Sequence, residues 1–424
     1  MEEILRDFRE IVVPGLNHWN HPAFFGYFSI TASGPGILGE MLAAALNVNA
    51  MVWRSSPAAT ELEDLATDWL RRLLGLPASF EGVINDTASS STLYALAAAR
   101  RVAYPEAHQA GLFGAQPGRI YASDQAHSSV EKAVLTLGFG RSGYRSVKSD
   151  GDFRLDPEAL ARAMEEDRAA GIRPVAVVAT LGTTSTASID PVTEVGAIAR
   201  RHGAWLHVDA AYGGPVAIVP EMAHHFSGWE EADSVVVNPH KWLFTPIDCS
   251  VLYCRRPEEL VRAFSIVPEY LSSTERSSAR SLMDYGVSLG RRFRSLKLWF
   301  VLRYFGRRGI VEALRGHVRL ARGFADRVDA ADDWERLAPV PFSVVAFRFN
   351  PPGIEDPARL DALNAEILER VNASGEVFLS HTRVRGVYAI RLAIGNLRTD
   401  ESHVVRAWEL LREAAGAVLA AGVP

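Results

Sequence analysis

The sequence predicts an α/β protein built around a largely parallel β-sheet. Between about residues 61 and 265, short β-branched runs alternate with segments whose apolar residues recur at helical spacing. This alternation is typical of strand–helix–strand units, which form parallel sheets covered by helices on both faces. The chain has 424 residues, which is too long for one ordinary core, so we expect more than one structural unit.

The predicted strands are short apolar runs separated by turn residues and helical segments. They are GVIND (82–86), RIYAS (119–123), VAVVAT (175–180), AWLHVDA (204–210), SVVVN (234–238) and CSVLYC (249–254). Helices are predicted from Ser89 to Arg101, from Val192 to His202, and from Ser295 onward.

Three regions follow from this pattern. Residues 1–60 lack regular alternation and carry an aromatic cluster, His18–Phe28, before a Gly-rich stretch, which favours an irregular pocket wall. Residues 61–310 form the predicted large domain, and 311–424 mix helices with runs such as VYAIRLAI, which predicts a small α+β domain. The polar, Ser-rich segment 270–286 predicts a loop.

Composition excludes several classes of protein. The net charge is −5 with both signs interspersed, so we expect no nucleic-acid partner. No run of 18 apolar residues predicts a membrane span, and the charged start does not resemble a signal peptide. The two cysteines, Cys249 and Cys254, have the spacing of neither a redox pair nor a zinc site, and no histidines have metal-ligand spacing. A cytoplasmic protein without a metal fits these features.

Lys241, in NPHKW, directly follows a predicted strand. Ligands of α/β proteins bind at the carboxyl ends of the strands, where a partly desolvated lysine becomes neutral and nucleophilic. Such a lysine suits Schiff-base chemistry, and a plain surface lysine is the alternative. Asp209, in HVDAAYGG, also ends a strand, where a helix cap is the simpler interpretation. Together the two residues indicate pyridoxal 5′-phosphate (PLP), whose ring nitrogen requires an anionic partner.

Two further motifs fit the same cofactor. In NDTASSSTLYALAAAR, turn and hydroxyl residues open a helix whose first N–H groups would attract a phosphate at Thr87, Ala88 and Ser89. In DQAHSSVEKA, His127 lies between a strand and a helix, where it would cover the cofactor ring. An ordinary capped helix and a solvated histidine are the alternatives. No GxGxxG or P-loop motif is present, which disfavours dinucleotides and ATP.

Over nearly its whole length the chain resembles the aromatic-L-amino-acid decarboxylases, a group of PLP-dependent enzymes. The resemblance lies in HPAFFGYF, SSPAATELE, DQAHSSVE, VATLGTTSTASID, HVDAAYGG, NPHKWL and LGRRFRSLKLWF. It implies the fold type I architecture, with a large domain around a seven-stranded sheet and a small C-terminal domain. It also implies a homodimer with sites at the interface. Members of the family carry a further segment before the aligned residues, so we expect a smaller dimer contact area here.

The resemblance assigns roles by position. Lys241 matches the lysine that holds the cofactor, Asp209 the partner of the ring nitrogen, and Ala211 the residue under the ring. His127 matches a stacking histidine. Asn238 matches a phosphate contact, as do Ala88 and Ser89. His240 matches a histidine that supports the cofactor, and Thr180 matches a strand-end position near the ring substituents.

Further matching positions concern the substrate. Tyr270 matches a tyrosine that supports protonation during decarboxylation, where aldehyde-forming relatives carry phenylalanine. The predicted substrate pocket comprises an aromatic wall, its neighbour, a position supplied by the partner subunit and a position linked to substrate preference: Trp19, Tyr27, Phe28, Ser29, Met51 and Gly290. Glycine at 290 favours tryptophan-like substrates. The alternatives are a PLP-dependent aromatic aldehyde synthase and a catalytically impaired binding or scaffold homologue.

Overall fold

A seven-stranded sheet forms the centre of the molecule, in a computed structural model that describes residues 1–28, 30–266 and 280–421. Its spatial order is β1-β7-β6-β5-β4-β2-β3; the pairs that involve β7 are antiparallel and the others are parallel. The predicted mostly parallel sheet is therefore confirmed. The strands are β1 (Glu81–Asn85), β2 (Gly118–Ser123), β3 (Tyr144–Val147), β4 (Arg173–Thr180), β5 (Trp205–Asp209), β6 (Ser234–Val237) and β7 (Ser250–Cys254).

Both faces of this sheet are buried. In β4, Val177 and Ala179 belong to one apolar core, whereas Ala176 and Val178 belong to the other. Successive side chains of a strand point to opposite faces, so a strand covered on both sides reads as a continuous apolar run. This is why VAVVAT shows no alternation of polar and apolar residues.

Helices surround the large sheet and a second, smaller sheet described below. The longest of them, α11 (Ser295–Asp329), is interrupted at Gly306, where φ is 56°. The helices are α1 (Glu2–Asp7), α2 (Gly34–Leu46), α3 (Pro57–Leu74), α4 (Ala88–Ala103), α5 (Ala107–Ala110), α6 (Ser129–Thr136), α7 (Pro157–Ala169), α8 (Val192–Arg201), α9 (Pro239–Trp242), α10 (Pro257–Phe264), α11 (Ser295–Asp329), α12 (Pro357–Ala373) and α13 (Glu401–Ala420). None of the helices in the described residues is both long and apolar enough to cross a membrane.

A second, antiparallel sheet has the order β10-β11-β9-β8. Its core includes Phe347 and Ile390 from the sheet, Phe324 from α11, and Leu363 and Leu411 from α12 and α13. The predicted α+β character of the C-terminal part is confirmed. The strands are β8 (Trp334–Arg336), β9 (Val344–Phe349), β10 (Ser380–Val384) and β11 (Val387–Ala393).

The prediction of irregular backbone after the aromatic cluster is wrong for residues 34–46, which form α2. Ser33 caps this helix by accepting the N–H of Gly36 at 3.3 Å, and a proline lies in the first turn. A side chain at Gly39 would come within 2.7 Å of the Lys297 Cα, so the glycine allows α2 to pack closely on α11. Tertiary packing therefore overrides the low helix propensity of glycine.

The carboxyl ends of four neighbouring strands meet at one edge of the large sheet. Thr180 and Asp209 pair with each other where β4 and β5 end. Lys241 follows β6 in α9, and His127 follows β2. Such an edge is the usual ligand site of open α/β sheets.

Candidate active site

A cavity of about 360 Å³ opens at this edge, between the two sheets. Six predicted site residues line it: Trp19, Tyr27, Phe28, His127, His240 and Lys241. The rings of Trp19 and Tyr27 stack with their centroids 5.4 Å apart, and Phe28 stacks on Tyr212 at 3.9 Å. The cavity therefore combines an aromatic wall with titratable groups, the combination typical of a small-molecule site.

Lys241 is held in a setting that favours its neutral form. It lies in α9, and its Nζ is 5.1 Å from the centroid of the Phe28 ring. Burial lowers the pKa of Lys241, and nearby Arg391 lowers it further, whereas the Asp209 carboxylate opposes the shift. Loss of hydration destabilises an ammonium ion, so this amine is more readily available as a nucleophile than an exposed lysine.

Asp209 supplies the negative charge of the site. Its side chain is 6% exposed, and its Oδ1 accepts the backbone N–H of Ala211 at 3.0 Å. This bond holds the carboxylate at the end of β5, against the backbone of Ala211. Asp209 acts on the pKa of both His127 and Lys241, so three of the four predicted catalytic groups lie within electrostatic reach of one another.

His127 is a neutral ring with a defined proton. Its Nδ1 accepts the backbone N–H of Ser129 at 3.1 Å and lies 2.8 Å from the Ser129 hydroxyl. Burial lowers the pKa of His127 below 6.5, so the ring is uncharged at pH 7. Because Nδ1 is an acceptor, Nε2 carries the proton and is available as a donor.

His240 fixes the orientation of the Asn238 carboxamide. Its Nδ1 accepts the N–H of Cys249 at 2.9 Å, and burial lowers its pKa to about 4. The neutral ring therefore carries its proton on Nε2, which lies 3.3 Å from the Asn238 carboxamide and requires an acceptor there. The carboxamide oxygen must face the ring. The amino group of Asn238 is then left to donate elsewhere.

The start of α4 has the conformation predicted for a phosphate-binding helix. Thr87 is the N-cap residue with extended backbone, and Ala88 and Ser89 form the first turn. The Thr87 side chain makes no capping hydrogen bond, so the first N–H groups of α4 are not satisfied by it. The positive end of the helix dipole adds to their attraction for an anion.

Not every predicted residue can be placed at the cavity in the described part of the chain. Ser29 and Tyr270 fall outside the described residues. Met51 and Gly290 do not line the cavity; instead both lie next to Asn49, whose carboxamide is 3.5 Å from the Met51 sulfur.

Several cavity residues were not predicted, and half of them belong to the small sheet. Ser380 Oγ accepts the N–H of Tyr27 at 3.1 Å, and the hydroxyls of Ser185 and Thr382 lie 2.8 Å apart. Arg391 was not predicted as a site residue either, although a lone arginine inside the apolar run VYAIRLAI was a usable signal. The unpredicted lining residues are Ile30, Thr184, Ser185, Ile247, Ser380, His381, Thr382 and Arg391.

A larger open groove, of about 760 Å³, lies elsewhere on the surface among Trp69, Phe226 and Trp229. Its charged lining residues, Arg72 among them, are solvent-exposed. Solvent-exposed charged groups are not desolvated, and desolvation is what makes a catalytic group reactive. This groove is therefore a weaker candidate for the catalytic site than the cavity around Lys241.

Comparison with known proteins identifies the family. Residues 1–350 match the model of the pyridoxal-dependent decarboxylase conserved domain. This chain belongs to the pyridoxal-dependent decarboxylase family. It is 41% identical to a tryptophan decarboxylase of Camptotheca acuminata and 40% identical to a phenylacetaldehyde synthase of Petunia hybrida, covering 99% of this chain and 85% of each relative. The crystal structure of Oryza sativa TDC with PLP and tryptamine matches with a TM-score of 0.95, at 39% identity over 98% of this chain and 88% of that one.

The edge of the sheet where this cavity opens has the donors and acceptors that PLP requires. Within the described part of the chain, Thr180 Oγ1 and one end of the Asn238 carboxamide are buried without a hydrogen-bond partner. Unpaired buried polar atoms are costly, and a polar cofactor would satisfy them. Together with Lys241 and Asp209, they form a set that fits PLP.

Proposed function

We propose that this protein uses PLP to decarboxylate an aromatic L-amino acid to the arylalkylamine and CO₂, with tryptophan-like substrates preferred. One observation carries the proposal: a lysine of lowered pKa shares a cavity with an aromatic wall and His127, and the buried Asp209 carboxylate acts on this lysine electrostatically. The relatives support it, since several are tryptophan or tyrosine decarboxylases at about 40% identity.

In this proposal Lys241 would hold the cofactor, Asp209 would pair with its ring nitrogen, and Ala211 and His127 would contact its ring. Thr180 lies near the ring substituents and His240 supports the site. The phosphate is bound by the start of α4 and by the carboxamide: Thr87, Ala88, Ser89 and Asn238. PLP supplies an electron sink that the protein's own side chains do not offer.

The remaining steps belong to the side chains. The aromatic wall of Trp19, Tyr27 and Phe28 binds the substrate ring and excludes water from it. Asp209 stabilises positive charge at the cofactor ring. The Nε2–H of neutral His127 is placed to donate a hydrogen bond, and Tyr270 is the proposed source of the proton that replaces the carboxylate.

We also propose a homodimer in the cytoplasm, with a large domain over 61–310, a small domain over 311–424 and an N-terminal segment over 1–60. The exposed face of α2 supports the dimer, because Ile37, Leu38, Met41 and Leu46 are at least half exposed there. Ser29, Met51 and Gly290 would complete the substrate pocket, with Met51 supplied by the partner subunit. A solution mass equal to one chain would contradict the dimer.

Lys241→Ala tests the cofactor assignment, with the exposed Lys148→Ala as the matched control. We expect the purified wild type and the control to show the visible absorbance of a PLP imine. Borohydride should then fix the cofactor to the peptide that contains Lys241. Lys241→Ala should lose both signals and its turnover. A retained imine in this variant would reject Lys241 as the attachment site.

An aldehyde synthase is the second candidate, because one relative at 40% identity is a phenylacetaldehyde synthase. Tyr270 favours simple decarboxylation. Mass spectrometry of the products from tryptophan, 5-hydroxytryptophan, DOPA, tyrosine and phenylalanine, with peroxide measured in the same reactions, separates the two. Amine without peroxide is expected; aldehyde, ammonia and peroxide in equal amounts would overturn the proposal.

A further inference from the structure

Asp190 is a buried carboxylate that holds the end of β4 in place. It is 2% exposed, and its two oxygens accept backbone N–H groups from two separate segments. Oδ2 accepts the N–H of Thr180 and Oδ1 accepts the N–H of Leu155, each at 2.7 Å. The N–H of Asp190 in turn donates to the carbonyl of Thr180 at 3.0 Å. Both polar backbone groups of Thr180 are therefore bound by this one residue.

These bonds take the place of a neighbouring strand. β2 pairs with β4 as far as Val178, so within the described sheet the last residue of β4 has no strand partner on that side. On its other side Thr180 pairs with Asp209 of β5. Asp190 therefore fixes where β4 ends, next to the carboxylate that the proposed function assigns to the cofactor ring.

A carboxylate at this position is costly to the fold. Burial raises the pKa of Asp190 to about 7, and the nearby carboxylates Asp124 and Asp150 act in the same direction. Loss of hydration disfavours the charged form, and the two backbone N–H groups offset only part of this effect. A buried charge that is retained at such a cost, one strand away from Asp209, is typical of a functional position.

The same residue closes a loop that reaches the cavity. Leu181 and Ile189 form an isolated bridge at the base of this loop, and Asp190 follows the bridge directly. Thr184 and Ser185, between them, line the cavity. Asp190 therefore holds the base of a cavity loop as well as the end of β4.

We propose that Asp190 is a positioning residue for the cofactor, because it fixes the backbone that carries the Thr180 hydroxyl. The inference rests on the proposed function, which places Thr180 near the ring substituents, and adds a residue to it. Thr180 Oγ1 is buried and has no hydrogen-bond partner in the described part of the chain. A β-branched side chain has few χ1 rotamers, so the place of this hydroxyl follows from its backbone.

Asp190→Ala removes both acceptors, and Asp190→Asn keeps one of them. Asp233→Ala is the matched control, because Asp233 makes the same pair of bonds at the amino end of β5. Its Oδ2 accepts the N–H of Leu206 at 2.9 Å, and its own N–H donates to the Leu206 carbonyl at 2.9 Å. Thr180→Val removes the hydroxyl with little change in shape. The unloaded proteins are titrated with PLP and with pyridoxal, which lacks the phosphate.

We expect Asp190→Ala to weaken the binding of PLP and of pyridoxal by similar factors, at least about fivefold, the size of one lost hydrogen bond. Both ligands are affected because the lost contact is to the ring substituents that they share. Asp190→Asn should have an intermediate effect, and Asp233→Ala should bind both ligands as the wild type does. Thr180→Val should weaken both ligands to a similar extent.

The double variant Asp190→Ala with Thr180→Val separates positioning from a general effect on the fold. It should bind pyridoxal about as well as Asp190→Ala alone, because both substitutions remove the same contact. Losses that multiply would overturn the proposal, since Asp190 would then act through something other than Thr180. If Thr180→Val binds pyridoxal as tightly as the wild type, the proposal is wrong even where the Asp190 variants fail to fold. A wild-type protein that binds no PLP would instead reject the proposed function itself.

Discussion

At the scale of single residues, the hydrogen bonds of His240 determine what Asn238 can do. Because Cys249 N–H occupies Nδ1 of His240, the carboxamide oxygen of Asn238 must face Nε2–H, and its amino group is the free end. A free N–H donor next to a phosphate-binding helix is useful, whereas a free oxygen there would repel the anion. Position 238 therefore requires an amide side chain rather than a carboxylate.

Asn238→Asp tests this orientation. The substitution keeps the shape and the acceptor for His240 but replaces the free donor with a negative oxygen. We expect the affinity for PLP to fall at least about tenfold, since a hydrogen bond to a charged group is lost and a repulsion is added. The affinity for pyridoxal, which has no phosphate, should change much less. Titrations of the unloaded protein measure both, and equal losses would contradict the assigned orientation.

At the scale of elements, α4 is tied to the sheet by buried polar contacts. Ser91 Oγ lies 2.9 Å from Ser250 Oγ and accepts Asn85 Nδ2–H at 3.1 Å. Thr92 Oγ1 lies 3.4 Å from His207 Nε2. His207 is two residues before Asp209 on β5. The contact between Thr92 and His207 therefore links the proposed phosphate site to the strand that carries the Asp209 carboxylate. These contacts fix where the first turn of α4 lies.

The double variant Ser91→Ala and Thr92→Val removes these ties with little change in shape. We expect PLP affinity to fall several-fold relative to pyridoxal affinity, because only the phosphate depends on the start of α4. Thr67→Val is the control, since that buried hydroxyl donates at 2.7 Å to a carbonyl of its own helix. A separate variant, Thr92→Ser, keeps the hydroxyl and should retain the hydrogen bond to His207. An unchanged ratio of the two dissociation constants would show that the ties do not position the helix.

The sequence predicted elements wherever the signal is local. The six predicted strands are present because each is a short apolar run, whereas β3, at the edge of the sheet, was missed because three of its four residues are not buried. The helix α2 was missed because its stability comes from packing against α11, which glycine-rich composition does not reveal. Arg391 and Ser185 were missed because they reach the cavity from segments 206 residues apart in the chain.

At the scale of the whole molecule, buried polar contacts join the catalytic edge to the small sheet. Trp242, next to Lys241, donates to His317 Nδ1 at 2.9 Å, and His317 Nε2 donates to the carbonyl of Asn396 at 3.0 Å. Tyr212 OH lies 2.6 Å from Ser343 Oγ, and its ring stacks on Trp242 at 4.8 Å. Movement of the small sheet relative to the large one would therefore disturb the residues beside Lys241.

Three buried histidines, His317 among them, make the stability of the protein sensitive to acid. Burial lowers the pKa of His207, His240 and His317 to about 4, from 6.5. Between these values the unfolded chain binds protons that the folded protein does not, so the free energy of unfolding decreases as the pH falls from 6.5 to 4. Each histidine contributes about 1.4 kcal/mol per pH unit within that window.

His317→Gln tests this account, because glutamine can accept from Trp242 and donate to Asn396 but does not titrate. We expect the variant to be less stable than wild type at pH 7, since the fit of the two bonds is imperfect. At pH 5 this deficit should shrink by about 2 kcal/mol, because the unfolded variant no longer gains a proton at this position. Urea unfolding at both pH values measures the change, with the exposed His108→Gln as the control. A deficit that stays constant between pH 7 and pH 5 would mean that His317 has the same pKa in the folded and the unfolded protein, and that acid acts on the stability through other groups.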